Sequence, residues 1–276
     1  MPCTVLMCPI CQSALSLEQH NSATWRCSQG HSYDVAKQGY VNLHVVQHKH
    51  SKNPGDTVDS VQARRRFLSA GHYQALQQQI VQVLSDFDIG IVVDIGCGEG
   101  YYSQALAQTA EQVIAVDIAK NAVQIAAKQD REGQVTWVVG TGAVLPVLSH
   151  TVDVCCSFFS PLPKAEMLRL LKDEGYVLFA TPNTGHLFSM RQALFEQVNP
   201  HQPEKFLTQL QPELSLVKEW DVVQDLRLNR QDLNDLIAMT PYAYKAKLEH
   251  REQLQQQDHF HTQAQFKLYL MQKVSP

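Results

Sequence analysis

Four residues near the N-terminus have the types and the spacing of a zinc site. Cys8 and Cys11 are separated by two residues, and Cys27 and His31 follow with three residues between them. Zinc prefers four thiolate or imidazole ligands at tetrahedral corners, which two short turns separated by a hairpin supply. Such an ion would also fold a segment too short to bury a core of its own. The spacing therefore predicts a zinc ribbon, a module that usually recognises a partner.

Other assignments of these residues stay open on spacing alone. A Cys-x-x-Cys pair also occurs in thioredoxin-like redox sites, although this segment lacks the βαβ pattern that precedes it there. His20, in the polar loop between the two turns, is a weaker alternative to His31, and Cys3 is a spare thiol just outside the pattern.

A glycine-rich loop at residues 94–100, Asp-Ile-Gly-Cys-Gly-Glu-Gly, is the second candidate site. Its glycines allow a tight turn and the close approach of a ligand to the main chain. A dinucleotide loop would need glycine at position 101, where Tyr101 stands. The D-x-G-x-G-x-G spacing instead resembles the loop of class I S-adenosylmethionine methyltransferases, with Asp117 placed about 20 residues later to hold ribose hydroxyls. The cofactor-binding candidates are Asp94, Gly96, Gly98, Glu99, Gly100 and Asp117. Dinucleotide binding and an inactive Rossmann-like scaffold remain alternatives.

Strands and helices alternate on both sides of this loop. Strands are predicted at 91–95, 113–117, 135–139, 152–156 and 176–180, and helices at 101–110, 121–129 and 164–171. This rhythm predicts an α/β fold, a Rossmann-like class I methyltransferase domain with a mostly parallel, seven-stranded sheet. The stretch 183–250 is expected to be more helical, and alternation at 266–271 indicates an edge strand.

These patterns divide the chain into three predicted parts. Residues 1–43 form the zinc-binding module and end in a short strand. Residues 44–85 form a basic linker and helices, interrupted at Gly71. Residues 86–276 form the methyltransferase domain.

Charge and composition restrict the class of partner. The 276 residues carry a net charge of −4, but residues 1–75 hold seven Lys and Arg against four acids. This basic end suggests a local anionic partner, although a solvated charged face is the simpler alternative. Seven cysteines without secretory spacing predict a reducing compartment, and no apolar run predicts a signal peptide or a membrane span. A cytoplasmic protein that does not act at a membrane is expected.

The motifs taken together resemble the bacterial 23S rRNA (guanine-N1)-methyltransferases nearly end to end. Those that carry the resemblance are Cys-Pro-Ile-Cys at 8–11, Cys-Ser-Gln-Gly-His at 27–31, Gly-Tyr-Val-Asn-Leu at 39–43, Pro-Gly-Asp at 54–56, Phe-Leu-Ser-Ala-Gly-His-Tyr at 67–73, the glycine loop with Tyr101 and Tyr102, and Met-Thr-Pro at 239–241. The resemblance implies S-adenosylmethionine-dependent methylation of N1 of one guanine in a hairpin loop of 23S rRNA. It implies a bound Zn²⁺ in a ribbon that helps to recognise the RNA.

The resemblance also implies roles for individual residues. The zinc ligands would be Cys8, Cys11, Cys27 and His31. Besides Gly98 and Glu99, Tyr73 and His186 match cofactor-contacting positions, although the residues alone would suggest a core tyrosine and a polar helix start. A homodimer whose subunits form a cleft for the hairpin is a further expectation.

Contacts with the RNA are predicted from charge and aromaticity. Phosphate contacts are expected from Lys49, Lys52, Arg64, Arg65 and Arg66. The target base must leave its stack or already lie in a loop, and Phe159 or Tyr242 is expected to stack on it. Residues 157–163 lack the Asn/Asp-Pro-Pro-Tyr motif of enzymes that methylate exocyclic amines, which fits a ring nitrogen. No general base is assigned.

Three alternative functions make different predictions. A small-molecule methyltransferase with a structural ribbon would turn over without RNA. A non-enzymatic RNA-binding factor would not bind S-adenosylmethionine. A related enzyme of the macrolide-resistance type would methylate a neighbouring guanine.

Overall fold

The computed structural model describes residues 5–19, 23–45 and 55–274. Cys3, His20, Lys49 and Lys52, which the sequence singles out, lie outside these described residues. The strands are β1 (Leu15–Gln19), β2 (Ala23–Cys27), β3 (Ser32–Asp34), β4 (Tyr40–Asn42), β5 (Ile91–Ile95), β6 (Gln112–Asp117), β7 (Val135–Val139), β8 (Val152–Phe158), β9 (Leu171–Pro182), β10 (Leu214–Asn229) and β11 (His259–Lys273). The helices are α1 (Val58–Ser69), α2 (Gln74–Leu84), α3 (Tyr101–Leu106), α4 (Lys120–Gln129), α5 (Lys164–Leu170), α6 (Phe188–Leu194), α7 (Glu204–Leu210), α8 (Arg230–Met239), α9 (Tyr242–Lys245) and α10 (Leu248–Gln255).

A mostly parallel sheet forms the body of the protein, as predicted. Its eight strands lie in the order β10-β11-β9-β8-β5-β6-β7-β4. β5 pairs in parallel with both β6 and β8, whereas β11 is antiparallel to both of its neighbours. Seven strands come from the predicted methyltransferase domain. The eighth, β4, pairs with β7 in this sheet, although the sequence suggested that it belongs to the ribbon.

Residues 183–250 contain α6, α7, α8, α9 and the start of α10, as expected, but two features of the C-terminal third differ from the expectations. The region expected to be helical contains β10, a strand of 16 residues, and β11 lies inside the sheet while β10 forms its edge. The buried residues of β10 are sparse: Val222 and Leu226 are four apart, and Leu228 follows two residues later. Most apolar residues of β10 stand at even positions, but the exposed Val217 and Val223 interrupt this alternation and weaken the period of two that marks a strand.

The zinc module has a separate sheet but not a separate core. β1, β2 and β3 form an antiparallel sheet of their own. Leu6, Leu15 and Trp25 nevertheless pack in one buried cluster with Val93 and Ile114 of the large sheet. Leu6 also pairs with Val147. The ribbon is therefore held against one face of the methyltransferase domain.

The opposite face of the sheet carries α1 and α2. Phe67, Leu76 and Ile80 are fully buried there. The break predicted at Gly71 separates the two helices, and the glycine has a left-handed φ of 85°. Within the described part of the chain, no helix is long and apolar enough to cross a membrane.

Candidate zinc site and methyl-transfer site

The four predicted metal ligands converge at the tips of two turns. The ligand atoms of Cys8, Cys11, Cys27 and His31 all lie within 4.8 Å of one another. The sulfurs of Cys11 and Cys27 are 3.6 Å apart, and Nδ1 of His31 lies 3.4 Å from the Cys27 sulfur. Bonds of about 2.3 Å to sulfur and about 2.0 Å to nitrogen separate tetrahedral ligand atoms by roughly 3.5–3.8 Å. The donor set and its spacing fit Zn²⁺.

Hydroxyl groups lie next to two of the cysteines. The Ser13 hydroxyl lies 3.1 Å from the Cys11 sulfur, and the Tyr33 hydroxyl lies 3.2 Å from that of Cys8. Hydrogen bonding by Ser13 is the main cause that lowers the pKa of Cys11 to about 6. Such outer contacts orient metal ligands and stabilise the thiolate that binds zinc.

The glycine loop connects β5 to α3 and folds against β6. The amides of Gly96 and Cys97 donate to the Val116 carbonyl at 2.8 and 3.2 Å. Gly96, Gly98 and Gly100 all have left-handed φ angles, which glycine adopts without strain. A Cβ atom on Gly100 would also lie 2.5 Å from Cη2 of the Trp137 ring. The loop therefore requires glycine for both its backbone conformation and its packing.

Three carboxylates surround this loop: Asp94 and Glu99 are buried and Asp117 is partly buried. Asp94 accepts a 2.6 Å hydrogen bond from the Ser103 hydroxyl, and Asp117 accepts one of 2.9 Å from the Gly98 amide. Oε2 of Glu99 has no hydrogen-bond partner among the described residues, although the side chain is only 5% exposed. Burial raises the pKa values of Asp94 and Glu99 to about 7. An unsatisfied buried acid beside a glycine loop fits a ligand that brings hydroxyl donors or positive charge.

The start of α1 covers the loop. Gly55 lies so close to Ala119 that a Cβ atom on it would be 2.7 Å from the alanine Cβ. Arg64 pairs with Asp56, and its Nη1 lies 3.8 Å from Oε2 of Glu99. This arginine was predicted to bind RNA phosphate. In this structure its side chain lies at the glycine loop instead.

Four rings lie together beside the loop, at the edge where the parallel strands end. We call Tyr73, Phe159, His186 and Phe266 the aromatic wall. Tyr73 is buried, and its ring centroid lies 6.4 Å from those of both Phe159 and His186 and 4.7 Å from that of Phe266. The fold thus brings together Tyr73, His186 and Phe159, which are far apart in sequence. Phe159 directly follows β8, has a left-handed φ of 61° and is 42% exposed. A bulky residue held in that conformation is strained, and such strain concentrates at functional sites. Its neighbour Phe158 is buried in the core.

His186 is neutral in this environment. Its Nδ1 lies 2.9 Å from the Gln265 carbonyl oxygen and 3.2 Å from the Gln265 amide nitrogen. Burial, followed by the nearby His201, lowers the pKa of His186 to about 3. The carbonyl can only accept and the amide can only donate, so these two contacts correspond to opposite tautomers of the neutral ring.

The segments that contain the two candidate sites are each similar to a known protein family. Residues 6–52 match the family model of the N-terminal domain of RlmA, a zinc ribbon, and residues 92–175 match a methyltransferase domain model. A 23S rRNA (guanine(748)-N(1))-methyltransferase from Streptomyces fradiae is 30% identical over 246 residues, which cover 87% of this chain and 85% of the relative. This chain belongs to the 23S rRNA (guanine-N1)-methyltransferase family. Its enzyme class is S-adenosylmethionine-dependent methyltransferase, and its cofactors are S-adenosylmethionine and zinc.

Two further similarities agree with the family assignment. A relative from Micromonospora griseorubida, for which the name 23S rRNA (guanine-N(1)-)-methyltransferase is proposed, is 30% identical over 87% of this chain and 86% of its own length. A chain in the complex between the Haloferax volcanii Trm112 methyltransferase activator and its proposed methyltransferase partner superimposes with a TM-score of 0.53. At 16% identity, with 80% of this chain and 99% of that chain covered, this second similarity supports the fold alone.

The other described residues that were predicted to bind RNA differ in exposure and in partners. Arg65 is exposed beside the Gln129 side chain, whereas Arg66 is paired with Asp235 across α1 and α8. The ring centroid of Tyr242 lies 5.6 Å from that of Phe195, and the tyrosine is partly buried. Of the three consecutive arginines, Arg65 is thus the one without a carboxylate partner among the described residues.

Two residues near His186 were missed by sequence reasoning. Arg191 is 6% exposed and donates to the carbonyls of His186 and Asn199. Gln265 fixes the His186 ring through its backbone. Neither residue lies in a recognisable motif. Their contacts join α6, the loop after it and β11, and only the tertiary structure brings these segments together.

Proposed function

We propose that this enzyme transfers a methyl group from S-adenosylmethionine to N1 of a guanine in a hairpin loop of 23S rRNA. The observation that carries the proposal is the half-exposed, strained Phe159, whose ring lies 6.4 Å from that of Tyr73 in the aromatic wall. In a chain of this family, such a ring at the carboxyl edge of the sheet is suited to receive an unstacked base.

The protein's main contribution is alignment of the two reactants. Bound S-adenosylmethionine supplies an activated methyl group on a positively charged sulfur. Asp117 and Glu99 at the glycine loop would hold the cofactor, while Phe159 and Tyr242 would hold the guanine plane. Fixing the two reactants in one orientation can contribute several kcal/mol to lowering the barrier.

Guanine N1 carries a proton that must leave during the transfer. His186 is a weak base because its pKa is about 3. We assign it a hydrogen-bonding role: the Gln265 backbone orients the ring through Nδ1, and Nε2 forms a hydrogen bond with the cofactor or the guanine.

Substrate selection is assigned to the zinc ribbon and to Arg65. The ribbon is anchored to the sheet through a buried cluster that contains Leu6, Trp25 and Cys8, while His31 on the second zinc turn is only partly buried. The exposed guanidinium of Arg65 is suited to a phosphate, in contrast with Arg64 and Arg66, which are paired with acids.

Mapping of reverse-transcription stops on 23S rRNA tests the proposal. N1 methylation blocks base pairing, so a new stop should appear next to one guanine only when the protein and S-adenosylmethionine are both present. The stop position would distinguish guanine 748, the target named for the Streptomyces relative, from its neighbours. Absence of any stop, together with turnover of a small molecule in RNA-free reactions, would contradict the proposal.

A further inference from the structure

The carboxyl end of β10 and the amino end of β11 project beyond the rest of the sheet. β9 ends at Pro182, which pairs with Phe266, whereas β10 and β11 continue pairing to Asn229 and His259. We call residues 223–229 and 259–265 the extension. It leaves the sheet at the edge where Phe159 and His186 lie, and its inner end, Gln265, contacts His186 directly.

One face of the extension is buried and the other is exposed. Leu226, Leu228 and Thr262 are buried against the domain. The opposite face pairs Arg227 with His261 and Asn229 with His259, and all four are exposed. Arg227, both histidines and Phe260 also line an open surface depression at the tip of the extension.

Charge on this face is not fully compensated. Arg230 pairs with Asp258 at 2.8 Å, and Asp225 lies 3.9 Å from Nε2 of His261 and accepts a hydrogen bond from Gln263. Arg227 has no ion-pair partner within the part of the chain that the structure describes. Its guanidinium therefore projects from a concave surface with its hydrogen-bond donors free for an anion.

The exposed face runs without a break toward the methyl-transfer site. Gln263 bonds to Gln265, whose side chain packs so closely against Gly185 that a Cβ there would be 2.4 Å from its Oε1. Polar side chains thus lead from Arg227 and His261 to the segment that holds His186. The zinc ribbon lies at the other end of the strand order, where Leu6 pairs with Val147 beyond the end of β7.

We infer that the exposed face of the extension, with Arg227 at its centre, binds the phosphate backbone of the rRNA substrate next to the target guanine. This inference rests on the proposed rRNA methylation and adds a contact surface opposite the zinc ribbon. Arg227 donates to a phosphate, while His259 and His261 contact the same strand through ring nitrogens or by stacking.

Binding of a 23S rRNA hairpin fragment across a salt series tests the inference. Arg227→Gln should weaken binding about five- to tenfold at 0.1 M salt and reduce the slope of log K against log[salt] by about one. Arg227→Lys keeps the positive charge and should therefore keep most of the wild-type salt slope. Asp225→Asn removes a nearby negative charge and should tighten RNA binding. Lys218→Gln is the matched control, because Lys218 is an exposed cation on the same strand but near its amino end, away from the extension.

Cofactor binding separates the possible outcomes. S-adenosylmethionine affinity, measured by calorimetry, should be the same in all four variants and the wild type. If the wild type methylates the hairpin but Arg227→Gln keeps its affinity and salt slope, the extension does not bind the RNA. If the wild type neither binds nor methylates the hairpin, the proposed function itself fails.

Discussion

The four zinc ligands lie within 24 residues, from Cys8 to His31, whereas the side chains of the methyl-transfer wall come from positions 73 to 266. In the ribbon, each pair of ligands sits on a turn closed by local hydrogen bonds, such as those from Gln12 to Cys8 and from Gly30 to Cys27. In the methyl-transfer site, Tyr73 meets His186 and Phe159 only because the sheet brings their segments together. A locally encoded site can be lost by one substitution, whereas the wall depends on the packing of the whole domain.

Loss of a zinc ligand should distinguish the zinc ribbon from the methyl-transfer site most clearly. Cys27→Ser should abolish detectable rRNA methylation, a loss of more than about 100-fold, because structural zinc contributes directly to folding of the ribbon. The Kd for S-adenosylmethionine should stay within about threefold of wild type, because the amides of the glycine loop are held by Val116 and Asp117 of β6. The melting temperature should fall, since Leu15 and Trp25 share a core with the sheet. Zinc content, methyl incorporation and calorimetry measure these effects.

Cys3→Ser is the control for this experiment, because Cys3 lies outside the ligand pattern and its loss should leave zinc content unchanged. If Cys27→Ser removes cofactor binding together with methylation, the ribbon holds the methyltransferase fold together and the two regions are not separable.

The glycine loop should be nearly as sensitive to a single methyl group. Gly100→Ala places a Cβ 2.5 Å from Trp137 and 2.9 Å from Ala126 at a φ of 87°. Overpacking and backbone strain should together destabilise the protein by about 2–4 kcal/mol and weaken S-adenosylmethionine binding more than tenfold. Thermal unfolding and calorimetry measure both effects.

Gly133→Ala is the matched control for the loop. Gly133 also has a left-handed φ, of 65°, but a Cβ there would meet nothing within 4 Å. It should cost only about 1 kcal/mol, the cost of strain alone, and leave cofactor binding unchanged. Equal losses in the two variants would show that packing against Trp137 does not matter.

Phe159→Ala should affect RNA rather than the cofactor. Loss of a stacking partner costs about 1–3 kcal/mol per base, so kcat/KM for the hairpin should fall roughly 5- to 150-fold with little change in cofactor affinity. Tyr242→Ala should have a smaller effect in the same direction. Tyr244→Ala, a tyrosine in the same short helix that is 76% exposed, is the control. Unchanged RNA kinetics in both Phe159→Ala and Tyr242→Ala would sink the stacking hypothesis.

Sequence alone could predict the features that depend on neighbouring residues. The zinc ligands, the glycine loop and strands such as β5 and β7 follow from short spacings and continuous apolar runs. β4 was assigned to the ribbon because three residues carry no information about which sheet they join. β10 was missed although most of its apolar residues stand at even positions, because the exposed Val217 and Val223 interrupt the alternation. The pairings of Arg64 with Glu99 and of Arg66 with Asp235 could not be predicted, since three consecutive arginines on a helix point in different directions.

The smallest expected effect is the pH dependence of cofactor binding. In the free protein, the pKa of Glu99 is raised from 4.5 to about 7 by burial, so the carboxyl stays largely protonated below pH 7. Its contribution to stability is present below about pH 4.5 and is lost as the pH rises through 7, because the fold disfavours the ionised form. S-adenosylmethionine carries net positive charge and should bind the ionised form better. Its affinity should therefore rise about three- to tenfold from pH 6 to pH 8.

Calorimetry in buffers of different ionisation enthalpy checks the sign of this linkage. Binding near pH 6.5 should release protons from the wild type, and Glu99→Gln should release fewer and show a flatter affinity profile. Asp94, whose pKa also lies at about 7, should account for the remaining dependence. The same profile for RNA binding at saturating cofactor should be flat in this range if Glu99 serves the cofactor alone. A matching slope for RNA would instead couple the two halves of the site through Arg64, which contacts Glu99 from α1.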